Sequence, residues 1–548
     1  MALIAKLFDL QYYKQESFIG IMESRNQLSG VLESERGNIY ITDKNGNKIA
    51  VALNKDYSII YAVPKEMQKV AVESGLTTRI YAEKLSPLVG KSADDLEKQF
   101  NKENDEYELL VQKAPAQLLE QIKNLNIKGI YNKKISMRSY PFEKLLSHLI
   151  GFVSPANDKE SEKHGNVQLG RYGLELKFNS VLAGEAGEFG KGKIIKKPEQ
   201  GKDLFLTIDV NIQTQSEEVL NKLAEKWGAS GGSIIVQEPS TGKILAMANW
   251  PNFNSNNYSQ SEIKNFLNPA VEAIYEPGSI FKIITMAAGI DSGKITPETS
   301  YIDTGSATIN GRTIKNWDLK AHGKLTMMNV IEKSINTGTI FAEKTMGHGV
   351  FYDYLNKFGF NEITNVDLPG EVKSNISHLQ KGKDVDFATA SFGQGVAVTP
   401  IAFISAASTI ANGGVLMKPL LFADEKPEVV RRVISEDTAQ KVKAMMVSAV
   451  HKNVIAEIPN YEIAGKTGTA YIPNFKIGGY TDEVMHSYVG FAPTSPPSGG
   501  PRFVILMKLE KPRALLAGET VVPAFKELAQ FILNYYNIAP DGLVNNKL

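Results

Sequence analysis

The run Tyr275-Glu276-Pro277-Gly278-Ser279-Ile280-Phe281-Lys282-Ile283-Ile284-Thr285-Met286-Ala287-Ala288 constrains this chain more than any other stretch. Pro277 and Gly278 break the preceding segment, and the apolar residues after Lys282 recur at helical spacing, which predicts a buried helix with Ser279 in its first turn. Residues three apart on a helix are neighbours, so the Lys282 amine is expected within hydrogen-bond reach of the Ser279 hydroxyl. A serine hydroxyl is a poor nucleophile at neutral pH and needs an adjacent base; a lysine becomes one when burial and neighbouring positive charge lower its pKa. The helix N-terminus adds partial positive charge beside a developing oxyanion.

Taken alone, S-x-x-K is a short pattern of common residues, and its bland reading is an exposed serine near a helix start. Two later motifs change the odds: Ser334-Ile335-Asn336 and Lys466-Thr467-Gly468-Thr469-Ala470. S-x-x-K, S-x-N and K-T-G in that order form the set shared by penicillin-binding proteins and class A β-lactamases.

At 548 residues the chain is too long for one compact domain, and two or three are expected. Lys and Arg total 61 against 60 for Asp and Glu, without the basic excess that nucleic-acid recognition normally shows, so no nucleic-acid partner is expected. Cysteine is absent, which removes disulfides, thiolate nucleophiles and cysteine-based zinc sites. The seven histidines include no H-E-x-x-H pair, so no metal is expected either. No window supplies about 18 consecutive apolar residues.

In chain order, residues from about 10 to 36 read as a polar mix of helix and strand, and Arg36 to Ala50 as a hairpin turning at Asn45-Gly46. Asp43 to Gly46 resembles part of a calcium loop but lacks the glutamate of its twelfth position, leaving a turn. Residues from about 65 to 125 are charged and helix-prone, and Gly165 to Gly187 reads as connecting loops. Pro198 to Lys202 marks an expected boundary. Beyond it come a strand at Leu204–Ile208, a helix from Asn211 to Trp227, a hairpin of Ser233–Val236 with Lys243–Ala248, a mostly helical middle from about 270 to 450, a strand pair at Tyr488–Phe491 and Phe503–Met507, and a helix from about Val522 to Asn534. Strands at both ends with helices between them predict an α+β domain, an antiparallel sheet covered by helices.

Gly228-Ala229-Ser230-Gly231-Gly232 matches G-x-S-x-G but follows a helix and opens a strand, the reverse of a nucleophile elbow, and reads as a loop. Glu217 to Asn221 matches an E-x-x-L-N pattern on the wrong side of Ser279, so coincidence explains it. His486 lies in a strand next to K-T-G, and such a histidine is more often packed than catalytic.

Across nearly its whole length the chain resembles class B, monofunctional penicillin-binding proteins, which are peptidoglycan D,D-transpeptidases. Besides the three motifs, the landmarks are Arg36-Gly37 with Asp43 to Gly46, Arg138 with Tyr140-Pro141, Gly173-Leu174-Glu175, Leu206 to Gln213, Thr241-Gly242 to Ala246, Glu276-Pro277-Gly278, Gly393-Gln394-Gly395 with Thr399-Pro400, Ala411 to Gly414, and Gly490 to Pro493. Two departures are a slightly wide spacing between Arg36 and Gly46 and Ile280 where threonine is usual. The resemblance implies a non-catalytic, elongated mixed α/β pedestal over residues 1–200 and a transpeptidase domain over 201–548. It implies no cofactor, and a single N-terminal membrane anchor, expected before Leu3, holding both domains outside the cytoplasm. S-x-N with asparagine and K-T-G-T resemble the cell-division type.

The resemblance also implies roles. Ser279 attacks the penultimate D-alanine carbonyl of a stem pentapeptide ending in D-Ala-D-Ala, and Lys282 takes its proton. Ser334 relays a proton to the leaving amine between Lys282 and Lys466, and Asn336 orients substrate and Lys282. Lys466, Thr467 and Thr469 receive the terminal carboxylate, while Gly468 lets a substrate lie against the strand. Backbone N–H groups of Ser279 and Thr469 form the oxyanion hole. β-Lactams would acylate the same serine. A SEDS-type glycosyltransferase and other divisome or elongasome membrane proteins are the implied partners. A β-lactamase or D,D-carboxypeptidase would use the same residues with water as acceptor, a penicillin sensor would bind without turnover, and a scaffold would keep the site unused.

Overall fold

The computed structural model describes residues 31–32, 34–156, 168–190, 193–474, 477–494 and 502–540. The polar stretch expected from about residue 10 lies mostly outside the described residues, as does the expected anchor junction at Leu3. Two compact units emerge: Ala52–Pro141, and a larger one drawn from Met1–Val51 and Phe142–Leu548.

In the smaller unit, Leu53 to Ala62 pair antiparallel with Ile130–Ser139, and Ser58 to Ala62 with Glu108–Ala114. The helices Pro64–Glu73, Thr78–Val89, Ala93–Phe100 and Ala116–Asn124 supply Met67, Leu85, Leu96, Phe100 and Ile122 to a core with Ile60 and Leu110. Ser92 caps the third helix by accepting from Asp95 N, and the second ends at Gly90 in the left-handed region. The helix-prone stretch is thus four short helices interrupted by one strand.

In the larger unit, Ile39–Thr42 turns back through Asp43 to Asn47, whose side chains and backbone close the turn, with Gly46 at φ +81°. The strand Leu204–Asp209 runs parallel to Ile39–Thr42. It therefore does not join the sheet formed further along the chain. That sheet is antiparallel, in the order Ile244–Trp250, Gly231–Gln237, Phe503–Glu510, Tyr480–Ala492, Ala464–Pro473. The helices Val210–Trp227 and Val521–Tyr535 share one core with it, where Ile212, Leu220, Phe525, Leu528 and Ile532 meet Ile234, Val236, Ile505 and Met507. Each fully buried large side chain contributes about 1.5–3 kcal/mol relative to exposure. The helices Lys282–Asp291 and Pro400–Ala411 are buried along almost their whole length.

Two stretches differ from expectation. Gly165–Gly187 is not all loop, because Gln168–Gly170 is a strand and Gly173–Lys177 and Asn179–Ala183 are short helices. The helical middle is interrupted by the paired strands Ser300–Asp303 with Gly323–Thr326, and Ser306–Ile309 with Arg312–Lys315. These strands are four residues long and largely exposed, so they carry little of the apolar alternation that betrays a strand.

Candidate active site

Ser279 sits in a one-turn 3-10 helix, Gly278–Phe281, that runs directly into Lys282–Asp291. Gly278 has φ +60°, donates to Gly393 O at 3.0 Å, and packs so closely on the K-T-G strand that a Cβ there would stand 2.9 Å from Ala470 Cβ and 3.1 Å from Thr469 O. The turn that carries Ser279 therefore rests on Thr469–Ala470. The first-turn N–H groups have no intrahelical acceptor, and the K-T-G strand is the edge of its sheet. Ser279 and Thr469, expected to supply the oxyanion hole, lie on these two elements.

Lys282 is fully buried, and its amine bonds Ser334 O at 2.6 Å, Asn336 Oδ1 at 2.8 Å and Ser334 Oγ at 3.3 Å. The direct Ser279–Lys282 hydrogen bond is not among the bonds of the described residues; the amine turns to the S-x-N motif instead. Lys466, also buried, bonds Ser334 Oγ at 3.0 Å and Thr467 O at 3.0 Å. Ser334 Oγ thus bridges the two amines. Desolvation, then the like charge of Lys466, push Lys282 well below the ordinary lysine pKa, and desolvation pulls Lys466 down to about 7. Ser334 itself is held at φ +57°, between the end of the helix Met327–Lys333 and the start of Asn336–Met346. A non-glycine residue in that region costs about 1–3 kcal/mol and is found where the surroundings impose it.

Asn336 uses both ends of its amide: Oδ1 accepts from Lys282, and Nδ2 donates to Lys315 O at 3.0 Å. Thr467 Oγ1 accepts from Lys466 at 3.4 Å and Thr469 Oγ1 accepts from Ala517 N at 3.3 Å, so each hydroxyl keeps its proton for an outside acceptor such as a carboxylate. Gly468 also has a packing reason to be small. A Cβ there would stand 2.3 Å from Ser487 Oγ and 2.9 Å from Pro277 O, inside the protein. Ser487, opposite it in register, donates to Pro277 O at 3.1 Å and ties the neighbouring strand to the turn that carries Ser279.

A cleft of about 1440 Å³ includes Ser279, Ser334, Lys466, Thr467 and Thr469 in its lining, together with Trp317, Asp318 and His322. The last three escaped sequence reasoning, since no spaced motif marks them; Trp317 donates through Nε1 to Lys333 O at 2.9 Å, beside Ser334. Glu276 was read only as a landmark. Its carboxyl accepts from Tyr480 OH at 3.0 Å, and burial pushes it up to about 7. His486 is buried against Thr520 Oγ1 at 2.9 Å and desolvated to a pKa of about 4, a packed neutral ring. Glu217 accepts from Leu146 N at 2.7 Å and Gln213 Nε2 at 2.8 Å, a buried structural carboxyl.

Comparisons with known proteins follow the same lines. Residues 232–530 match the family described as Penicillin binding protein transpeptidase domain, and residues 31–206 match Penicillin-binding Protein dimerisation domain. The chain is 30% identical over 514 residues to Stage V sporulation protein D of Bacillus subtilis (strain 168), spanning 88% of this chain and 75% of that protein. It is 28% identical over 524 residues to Peptidoglycan D,D-transpeptidase FtsI of Escherichia coli (strain K12), spanning 92% of this chain and 84% of the other. In fold it is similar to the crystal structure of Penicillin Binding Protein 2X from Streptococcus thermophilus, with a TM-score of 0.75, 23% identity, and 94% and 82% of the two chains covered.

Proposed function

The chain belongs to the class B penicillin-binding proteins, the peptidoglycan D,D-transpeptidases, and from that premise we propose that Ser279 is its nucleophile, with Lys282 as base and Ser334, Asn336 and Lys466 completing the machinery. A serine acyl-enzyme and inhibition by β-lactams follow from the family. The observation that carries the residue assignment is the pair of buried amines meeting at one hydroxyl, Ser334 Oγ, behind Ser279. Two buried amines with no carboxylate between them favour a neutral Lys282, which is what a base must be.

Acylation then runs as follows. Ser279 Oγ bonds the carbonyl carbon of the penultimate D-alanine while its proton passes to Lys282. Backbone N–H groups of Ser279 and Thr469 hold the oxyanion, each worth roughly 3 kcal/mol. The D-Ala–D-Ala peptide bond breaks as Ser334 passes a proton to the departing amine, and D-alanine leaves. Lys466, Thr467 and Thr469 receive the substrate's terminal carboxylate. An amine of a neighbouring stem attacks the ester, surrenders a proton along the same relay and frees Ser279. Residues 1–200 serve as the pedestal and 201–548 as the transpeptidase domain.

The finer assignment is a septal role beside a SEDS-type glycosyltransferase, with an N-terminal anchor holding both domains outside the cytoplasm. The asparagine of S-I-N and the K-T-G-T sequence support the septal role, and the partner and anchor rest on the family resemblance. The relative named for sporulation supports a second reading, spore-wall synthesis. Depletion separates them, by filamentation or by failure of spores alone.

Intact-protein mass spectrometry after incubation with benzylpenicillin tests the site. A persistent adduct of the full drug mass, absent from Ser279→Ala, is expected. Drug consumed without an adduct would mean hydrolysis, and drug left intact would mean an unused site.

A further inference from the structure

Behind the S-x-N motif lies a buried carboxylate that the chemistry above does not use. Asp303 ends the strand Ser300–Asp303 and is 2% exposed. No ion pair involves it among the described residues. Its two oxygens are instead filled by donors: Thr337 Oγ1 at 2.7 Å, Asn316 Nδ2 at 3.0 and 2.9 Å, Gly305 N at 3.0 Å and His322 N at 2.9 Å. Burial by itself would raise its pKa. The hydrogen bonds from Thr337, Gly305, Asn316 and His322 outweigh that and hold it below the usual carboxylate value.

The arrangement fixes orientations that matter at the site. Asn316, 1% exposed, has an amide with two chemically different ends. With Nδ2 committed to Asp303 and to Lys320 O at 3.1 Å, its Oδ1 points the other way and accepts from Thr337 N at 3.2 Å. Thr337 is the second residue of the helix Asn336–Met346, whose own N-cap residue, Ile335, supplies no side-chain cap. Asn316 therefore caps this helix from another segment, and the Asp303 charge lies at the helix end where negative charge is favoured. The residue before Asn316 completes the link, because Lys315 O accepts from Asn336 Nδ2 and so turns Asn336 Oδ1 toward Lys282.

We propose that Asp303 is a positioning residue for acylation: by orienting the Asn316 amide it caps the helix that begins at Asn336 and so decides which end of the Asn336 amide faces Lys282. This rests on the reading of Ser279 and Lys282 given above. Asparagine at 303 would set an NH₂ group against donors that now meet an oxygen. Loss of the Thr337 hydroxyl would remove the shortest of the five bonds.

The test compares wild type, Asp303→Asn, Thr337→Val and Thr337→Ser by time-resolved mass spectrometry with benzylpenicillin, separating the non-covalent dissociation constant from the acylation step, with thermal melts alongside. Asp303→Asn is expected to slow the acylation step by about 10–100-fold while drug binding before the covalent step holds within about twofold. Thr337→Val should slow the same step, and Thr337→Ser, which restores the donor, should recover it. Acylation at the wild-type rate in both Asp303→Asn and Thr337→Val overturns the proposal, as does a Thr337→Ser enzyme as slow as Thr337→Val, whatever happens to the Tm. Should Asp303→Asn fail to fold, the threonine pair decides alone. A wild type that never acylates refutes the assignment of Ser279 instead.

Discussion

Charges are handled in opposite ways in the smaller unit and in the cleft. In Ala52–Pro141, Arg79 faces water and meets Glu83, Asp94 and Glu97, all of opposite sign. In the cleft, Lys282 and Lys466 are taken out of water and set beside each other with a serine between them. The first arrangement costs little and contributes little. The second works against stability, because desolvating an amine beside a like charge disfavours its protonated form. Strongly perturbed buried groups in a cleft mark a candidate functional site, and the cleft, not the more heavily paired surface, carries that mark.

Substitutions sharpen the contrast. The largest effect is expected at Lys282→Met, which removes the proposed base and should slow benzylpenicillin acylation by about 10²–10⁴-fold in a protein that still melts cooperatively. Rates near wild type would break the contrast at its centre. Next is Gly468→Ala. Its Cβ would collide with Ser487 Oγ and Pro277 O, so a stability loss of about 1–3 kcal/mol by denaturant unfolding should accompany slower acylation. Ser487→Ala on top of it should recover part of both. The smallest is Arg79→Ala, for which no measurable change in Tm or acylation rate is expected despite three lost ion pairs.

How far the sequence was legible follows from which contacts are local. The helix carrying Ser279 and Lys282, the hairpin at Asp43–Asn47 and the strands Gly231–Gln237, Ile244–Trp250, Tyr480–Ala492 and Phe503–Glu510 of the antiparallel sheet are written in neighbouring residues, through Pro-Gly breaks, Asn-Gly turns and periodicity. The same local rule left out the other partners of Lys282. Helical spacing puts it near Ser279, but the stronger acceptors, Ser334 O and Asn336 Oδ1, arrive from a segment 52 and 54 residues away. Leu204–Asp209 was legible as a strand but not by its partner, because edge hydrogen bonding leaves no trace in side-chain alternation. Gly468 was legible as a required glycine, but its packing against Ser487 and Pro277 was not. Asp303, Asn316 and Ser487 were not legible at all, since a buried polar residue acquires its meaning only from donors elsewhere in the chain.

The proposed base is a neutral Lys282, made so by burial and by Lys466. The pH dependence of Ser279 acylation by benzylpenicillin measures this most directly. Protonated Lys282 is inactive and the neutral amine active, so the rate should climb as pH rises, with a midpoint far below the ordinary lysine value of 10.5. A rate that rises only near 10.5 would contradict it.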